Sequence, residues 1–320
     1  MPAFRAVPLL VALSVSAPCA LVCAQDAPKG EPVAPRKAVL PLDPQKIKSA
    51  DDLIAALRAA EGQVDQVTMR IETTGTTPDG RKFRTEGSMR VLGKTHFQVR
   101  THWSFGDELE GVTETVRTPE GVWMHEDDPA QGPVYTHMGK DLMERVDAAS
   151  RVVGDGPLGG PGEDEAAGPL GSRMLADLGA EFALRVEGPR KIDGMEVMVV
   201  SGARKPGAQD DLLAPDADNV DVLVRVEDGA VMRMTQLKDG QPITEVRVLE
   251  MDRKSKLAPE SFVLAVPAEV SFLDVMAHPP AREQLTKLFA DAKAKGWRDP
   301  AESEGGKDGS STGTDEGKKR

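Results

Sequence analysis

The chain has 320 residues and a net charge of -12, with 40 Lys and Arg against 52 Asp and Glu. That acidic balance excludes a nucleic-acid partner, whose phosphates require a basic surface, and disfavours electrostatic docking on anionic membranes. Both cysteines, Cys19 and Cys23, lie close to the N-terminus, so a chain cleaved behind them has no disulfide framework, thiol nucleophile or thiolate metal site.

Residues 1–24 read as a signal peptide. Arg5 precedes an apolar run from Val7 to Ala17, and Val22-Cys23-Ala24 fits a small-x-small cleavage site that leaves Gln25 first. The run is too short for a permanent membrane span. An exported, periplasmic protein is expected. In the alternative, Cys23 is the lipidated residue of an anchored lipoprotein, although Val22 stands where that processing wants a small residue. Residues 25–44, rich in proline and charge, form an extended linker.

Ser49 followed by Asp51 and Asp52 opens a helix with one apolar stripe (Leu53, Ile54, Leu57, Ala60), ended by Gly62. The period then changes to two. Val67, Met69 and Ile71 share one strand face, and Pro78-Asp79-Gly80 turns the chain into Phe83–Leu92 and Thr95–Phe105. In HFQVRTHWSF the odd positions Phe97, Val99, Thr101, Trp103 and Phe105 alternate with His96, Gln98, Arg100, His102 and Ser104, giving one largely apolar and one wet face. Strands Gly111–Thr118, VWMHE and PVYTHM follow as a meander.

Lys140–Val153 returns to helical spacing. Gly154–Gly171 is a glycine-, proline- and acid-rich loop, and Ser172–Leu178 a short helix. A second run of strands begins at Glu181, with hairpin signals at Asp193-Gly194, Asp228-Gly229 and Asp239-Gly240 and an acidic insertion at Lys205–Asn219. Ser261–Val266 reads as a last strand before Pro267. Residues 276–298 carry a C-terminal helix with Leu285, Leu288 and Phe289, and 299–320 a tail without bulky apolar residues. Strands and helices do not alternate, so a parallel α/β fold is excluded. The fold class expected is mainly β with helices (α+β): a curved antiparallel sheet of about eleven strands.

The chemistry of a catalyst is missing. There is no Gly-x-Ser-x-Gly elbow, no two of His96, His102, His125, His137 and His278 have the spacing of a helical zinc site, and Asp127-Asp128 and Asp210-Asp211 fall in turns. A protein that is not an enzyme, without cofactor or metal, is expected. Methionine is common on the strands instead: Met69, Met89, Met124, Met195, Met198, Met232, Met234 and Met251. A flexible, polarizable side chain fills irregular cores and also suits adaptable binding surfaces.

The order of these motifs resembles the periplasmic outer-membrane lipoprotein carriers, the LolA-like family. DDLIAALRAAEGQVDQVTMRIE runs from helix into strand. GSMRVLGKTHFQVRT gives the paired strands, TPEGVWMHEDDPAQGPVYTHM the turn and tryptophan strand, and VRVEDGAVMRMTQLKDGQPITEVRVLEMDRKSKLAPESFVLAVPAEV the closing strands. The likeness covers Ser49 to Val275, within a domain placed at 45–275. It implies an incomplete β-barrel whose opening is covered by helices, with an apolar space that receives acyl chains of a lipid or lipoprotein. It also implies a monomer that meets an inner-membrane lipoprotein transporter and an outer-membrane acceptor. Strand parity places Met69, Ile71, Met89, Val91, Phe97, Val99 and Trp103 on the cavity wall; Trp123 is added although its parity is opposite to that of Val122 and Met124. The long insertions and the extra C-terminal helix depart from the carriers. A periplasmic regulator of an anti-sigma factor and a structural envelope protein, each of the same fold without lipid transport, are the competing readings.

Overall fold

The computed structural model describes residues 41–77, 79–93, 95–106, 109–129, 132–153, 171–207 and 216–301. The expected signal peptide, Cys23, nearly all of the linker, most of both insertions and nearly all of the tail lie outside the described residues.

Helix α1 (Ala50–Glu61) starts as its sequence requires. The Ser49 hydroxyl accepts from the Asp52 N–H at 3.1 Å, and the Asp52 carboxylate accepts from the Ser49 N–H at 3.0 Å. This reciprocal capping satisfies two orphan donors of the first turn. Gly62 ends the helix. The chain then builds a six-strand meander: β1 (Gln66–Thr76), β2 (Lys82–Leu92), β3 (His96–Phe105), β4 (Leu109–Thr118), β5 (Gly121–Asp128) and β6 (Gly132–Gly139). Helices α2 (Lys140–Val153) and α3 (Gly171–Glu181) follow, and α3 runs without a connecting residue into β7 (Phe182–Ile192). Strands β8 (Met195–Arg204), β9 (Asn219–Arg225), β10 (Val231–Lys238) and β11 (Gln241–Asp252) complete a second meander. Helix α4 (Pro279–Ala294) comes last.

One pairing joins the two meanders. Strand β1 lies antiparallel to β11, with Met69 beside Met251, and the sheet order is β12-β6-β5-β4-β3-β2-β1-β11-β10-β9-β8-β7. The ends of this order do not meet, so the curved sheet is unclosed. Among the described residues the strands number twelve rather than about eleven, because Leu273–Asp274 adds a two-residue strand, β12, parallel to β6. The expected strand at Ser261–Val266 is absent. After a short 3-10 turn at Pro259–Ser261 the chain runs extended across the outer face, with Phe262 and Leu264 buried against Val116, Trp123 and Tyr135. Its alternation is that of a strand, but it has a sheet face beneath it rather than a neighbour beside it.

Helices cover the inner face in two pairs. Leu53 and Leu57 of α1 and Leu175 and Leu178 of α3 pack on Met198, Val200, Val220, Val222, Val224 and Met234 of the second meander. Met143, Val146 and Ala149 of α2 and Leu285, Leu288 and Ala292 of α4 pack around Met138 at the β6 end. Each fully buried leucine here contributes about 1.5–3 kcal/mol. The C-terminal helix therefore shares its core with α2 and the first meander.

Candidate functional site: the methionine-lined inner face

Antiparallel register decides which side chains share a wall. Met69 lies opposite Met89, and Met89 opposite Val99; Val67, Val91 and Phe97 form the adjacent row. Met69, Met89, Val91, Phe97 and Val99 are buried in one cluster, with Ile71 and Met251 packed against it. Six of the eight residues expected on the cavity wall are thus brought together.

Trp103 lies on the same face but apart from that cluster. Its partner in register is Gly111, and a Cβ added there would stand 2.3 Å from the indole Cζ2 and 2.5 Å from the Asp127 carbonyl oxygen. The indole covers a bare glycine backbone, which is how an aromatic residue compensates a strand glycine. Gly111→Val is expected to destabilise the fold by about 1–3 kcal/mol, the usual effect of overpacking, and to change the tryptophan emission; an unaltered urea midpoint would show that the ring is displaced freely.

Trp123 is not on this wall, which corrects the sequence reading. It pairs with His137, stacks on its ring with centroids 4.9 Å apart, and belongs to the outer-face cluster under Phe262. The parity against Val122 and Met124 was the signal, and a single residue of offset sends a strand side chain to the other face.

The cluster opens into a crevice lined by Met69, Ile71, Met174, Met232, Met234 and Met251, with Val231, Val246 and Val248 and a contribution from Arg233. Five of those ten lining residues are methionine. Met174 comes from α3 and the rest from β1, β10 and β11, so the crevice lies where helix, first meander and second meander meet. Sequence reasoning missed Met174, Met232, Met234 and Met251 as wall residues. The pairing of β1 with β11 makes them neighbours of Met69, and no local pattern reports a partner on that distant strand. The volume of the crevice is about 30 Å³, roughly the share of one water molecule in the liquid.

The helices above are fastened by buried polar contacts. The Glu61 carboxylate at the end of α1 accepts from the Ser172 N–H at 2.8 Å and from its hydroxyl, at the N-terminus of α3. An anion there faces the positive end of the helix dipole. A Cβ at Gly171 would come within 2.8 Å of that carboxylate, so glycine permits the approach. Burial pushes the Glu61 carboxyl above its ordinary range, and the Ser172 hydrogen bonds offset part of the shift. On the other side, Arg117 of β4 donates to Asp147 of α2 at 2.5 Å, with side chains only 12% and 14% exposed. Burial raises the Asp147 carboxyl, and the Arg117 charge beside it pulls the other way. Arg145 of α2 holds Asp299 through two hydrogen bonds, at 2.9 and 2.6 Å.

Among the described residues no helix is long and apolar enough to cross a membrane, and no three His, Cys, Asp or Glu side chains gather as a metal site. No family model and no curated protein matches the chain. Solved structures are similar at low identity. LprF from Mycobacterium bovis is 12% identical with a TM-score of 0.36, the match covering 68% of this chain and 98% of that one. The MucA/MucB complex from Pseudomonas aeruginosa is 13% identical with a TM-score of 0.36, covering 68% of this chain and 61% of that one. A LolA superfamily protein from Nitrosomonas europaea is 10% identical with a TM-score of 0.25, covering 68% of this chain and 99% of that one. The fold itself rests on this chain's own strand order and register: an unclosed, curved antiparallel sheet with helices on its inner face, the architecture that the resemblance to the carriers implied.

Proposed function

We propose that the protein is a non-catalytic periplasmic carrier that holds acyl chains of a lipid or lipoprotein between its sheet and its helices. The observation that carries this reading is the crevice with five methionines. An adaptable apolar wall fits chains of varied length, and each methylene buried there is worth about 0.8 kcal/mol. At about 30 Å³ the crevice is too small for an acyl chain, well below the roughly 300–1,000 Å³ of a preformed ligand pocket. Loading therefore requires α3 to rise, since Met174 is the one lining residue that a helix supplies. Export through the signal peptide, monomeric action, an inner-membrane transporter as donor and an outer-membrane acceptor complete the proposal. A second reading draws on the same small volume: a filled core in an envelope protein that senses or binds another protein.

Native mass spectrometry of the exported protein, with organic extraction, separates the two. Fatty or lipid mass is expected to co-purify. Met251→Glu should abolish it while the fold persists, because Arg225 already lies 3.8 Å from the Met251 sulfur and can pair with the new carboxylate. A protein that runs clean and also rejects added fluorescent fatty acids would leave the filled-core reading standing.

A further inference from the structure

The outer face of β1–β4 carries a feature that the inner crevice does not need. Ser88 lies directly opposite Arg70 on one side and Arg100 on the other. Neighbouring strands stand about 4.8 Å apart, so the two arginines flank the serine at roughly 10 Å from each other. The Ser88 side chain is too small to fill the gap. The result is an open dent of about 320 Å³ lined by Arg70, Glu86, Gly87, Ser88, Arg100, His102 and Val112.

Hydrogen bonding sets Arg100 apart from other arginines on this face. Arg84 is held by Glu72 and Glu86, and Arg90 by Gln98 and Ser261. Glu114 stands 3.9 Å from the Arg100 Nε, beyond hydrogen-bond distance, and accepts from Gln98 at 2.8 Å instead. Arg70 gives one nitrogen to Glu250 at 2.8 Å and keeps the rest of its fork. His102 stands 3.8 Å from Glu110, also too far for a hydrogen bond. The one carboxylate at the rim, Glu86, is engaged by Arg84 at 2.5 Å. Two guanidinium groups, a hydroxyl and an imidazole thus converge on a dent in a protein whose net charge is -12.

We propose that this dent binds a phosphoryl group, with Arg100 and Arg70 as the forks that grip its oxygens and Ser88 as the small floor that admits it. Planar guanidinium donors match phosphate oxygens in pairs, which a point charge does not. The volume admits a phosphomonoester as well as the bare ion. Because Arg70 alternates with Met69 and Ile71 along β1, the dent lies on the face opposite the crevice, and the proposal stands or falls independently of lipid carriage.

The test is a titration of the isotopically labelled protein with inorganic phosphate, read from amide shifts, against chloride at equal ionic strength. Saturable shifts are expected at Ser88 and Arg100. Arg100→Gln and Ser88→Leu should each weaken phosphate binding by about tenfold or more, one by removing a fork and the other by filling the dent. Both positions are exposed, so circular dichroism should show intact folding. Vesicles of phosphatidylcholine with and without phosphatidylglycerol give the source: vesicle binding lost in both variants assigns a lipid head group, and phosphate binding without vesicle binding assigns a soluble phosphate. Shifts that chloride reproduces, shifts elsewhere, or equal affinity in the wild type and both variants would overturn the site.

Discussion

Replacing Arg117 by methionine is expected to destabilise the protein by about 3–5 kcal/mol, because the change removes one partner of a buried ion pair and leaves the other behind. Arg117 projects from β4 toward α2, and the two side chains are 12% and 14% exposed. Burial already raises the Asp147 carboxyl with Arg117 in place; without the guanidinium it rises further. A carboxyl whose folded pKa lies above its unfolded value favours folding fully below the unfolded pKa, and that contribution is lost as pH rises through the folded pKa. The deficit of Arg117→Met should therefore be largest near neutral pH and shrink as Asp147 takes up a proton on acidification. The double variant Arg117→Met with Asp147→Leu should recover most of the loss, since two apolar side chains of similar volume replace the pair without a stranded charge. Urea midpoints at neutral and mildly acid pH measure all three proteins. A deficit independent of pH, or a double variant as unstable as the single one, would refute the account.

The same pair shows how much of the architecture was readable beforehand. Turn chemistry was legible because it is local. Asp193 and Asp239 adopt positive φ of 50° and 52°, each followed by a glycine at 79° or 74°, as tight hairpins demand. The serine cap of α1 was equally plain. Strand parity was legible too, and it gathered Met69, Ile71, Met89, Val91, Phe97 and Val99 on one wall. Contacts between distant segments left no such trace. Nothing near Arg117 announces Asp147, and nothing near Met69 announces Met251. Ser261–Val266 failed for a related reason: alternation records that one side of an extended segment is buried, not whether its backbone has a neighbour to pair with. Phe262 and Leu264 satisfy the pattern by lying on a sheet face.

The junction between α3 and β7 carries the other large expected effect. Glu181 ends the helix and Phe182 opens the strand with no residue between them, so the orientation of α3 depends on where Phe182 is seated. Its ring is 1% exposed, within the core that α1 and α3 form over the second meander. The bare backbone of Gly202 lies close by, where a Cβ would stand 3.2 Å from that of Phe182 and 2.8 Å from the Leu184 side chain. Phe182→Ala leaves a void that this tightly built corner cannot close, and should cost about 3–5 kcal/mol, the range for large aromatic truncations. The loss should not be spread evenly. With the buried ring gone, the C-terminal end of α3 keeps only polar ties, from Lys205 to the Gly179 and Glu181 carbonyls and from Arg204 to Glu181, so amide exchange should accelerate in Ser172–Glu181 more than in β1–β4. Because Met174 lies on that helix, the carrier reading adds a consequence: the variant should take up a fluorescent fatty acid faster than the wild type. Uniform acceleration of exchange across the sheet would mean that Phe182 supports the whole core and does not specifically seat the helix that lines the crevice.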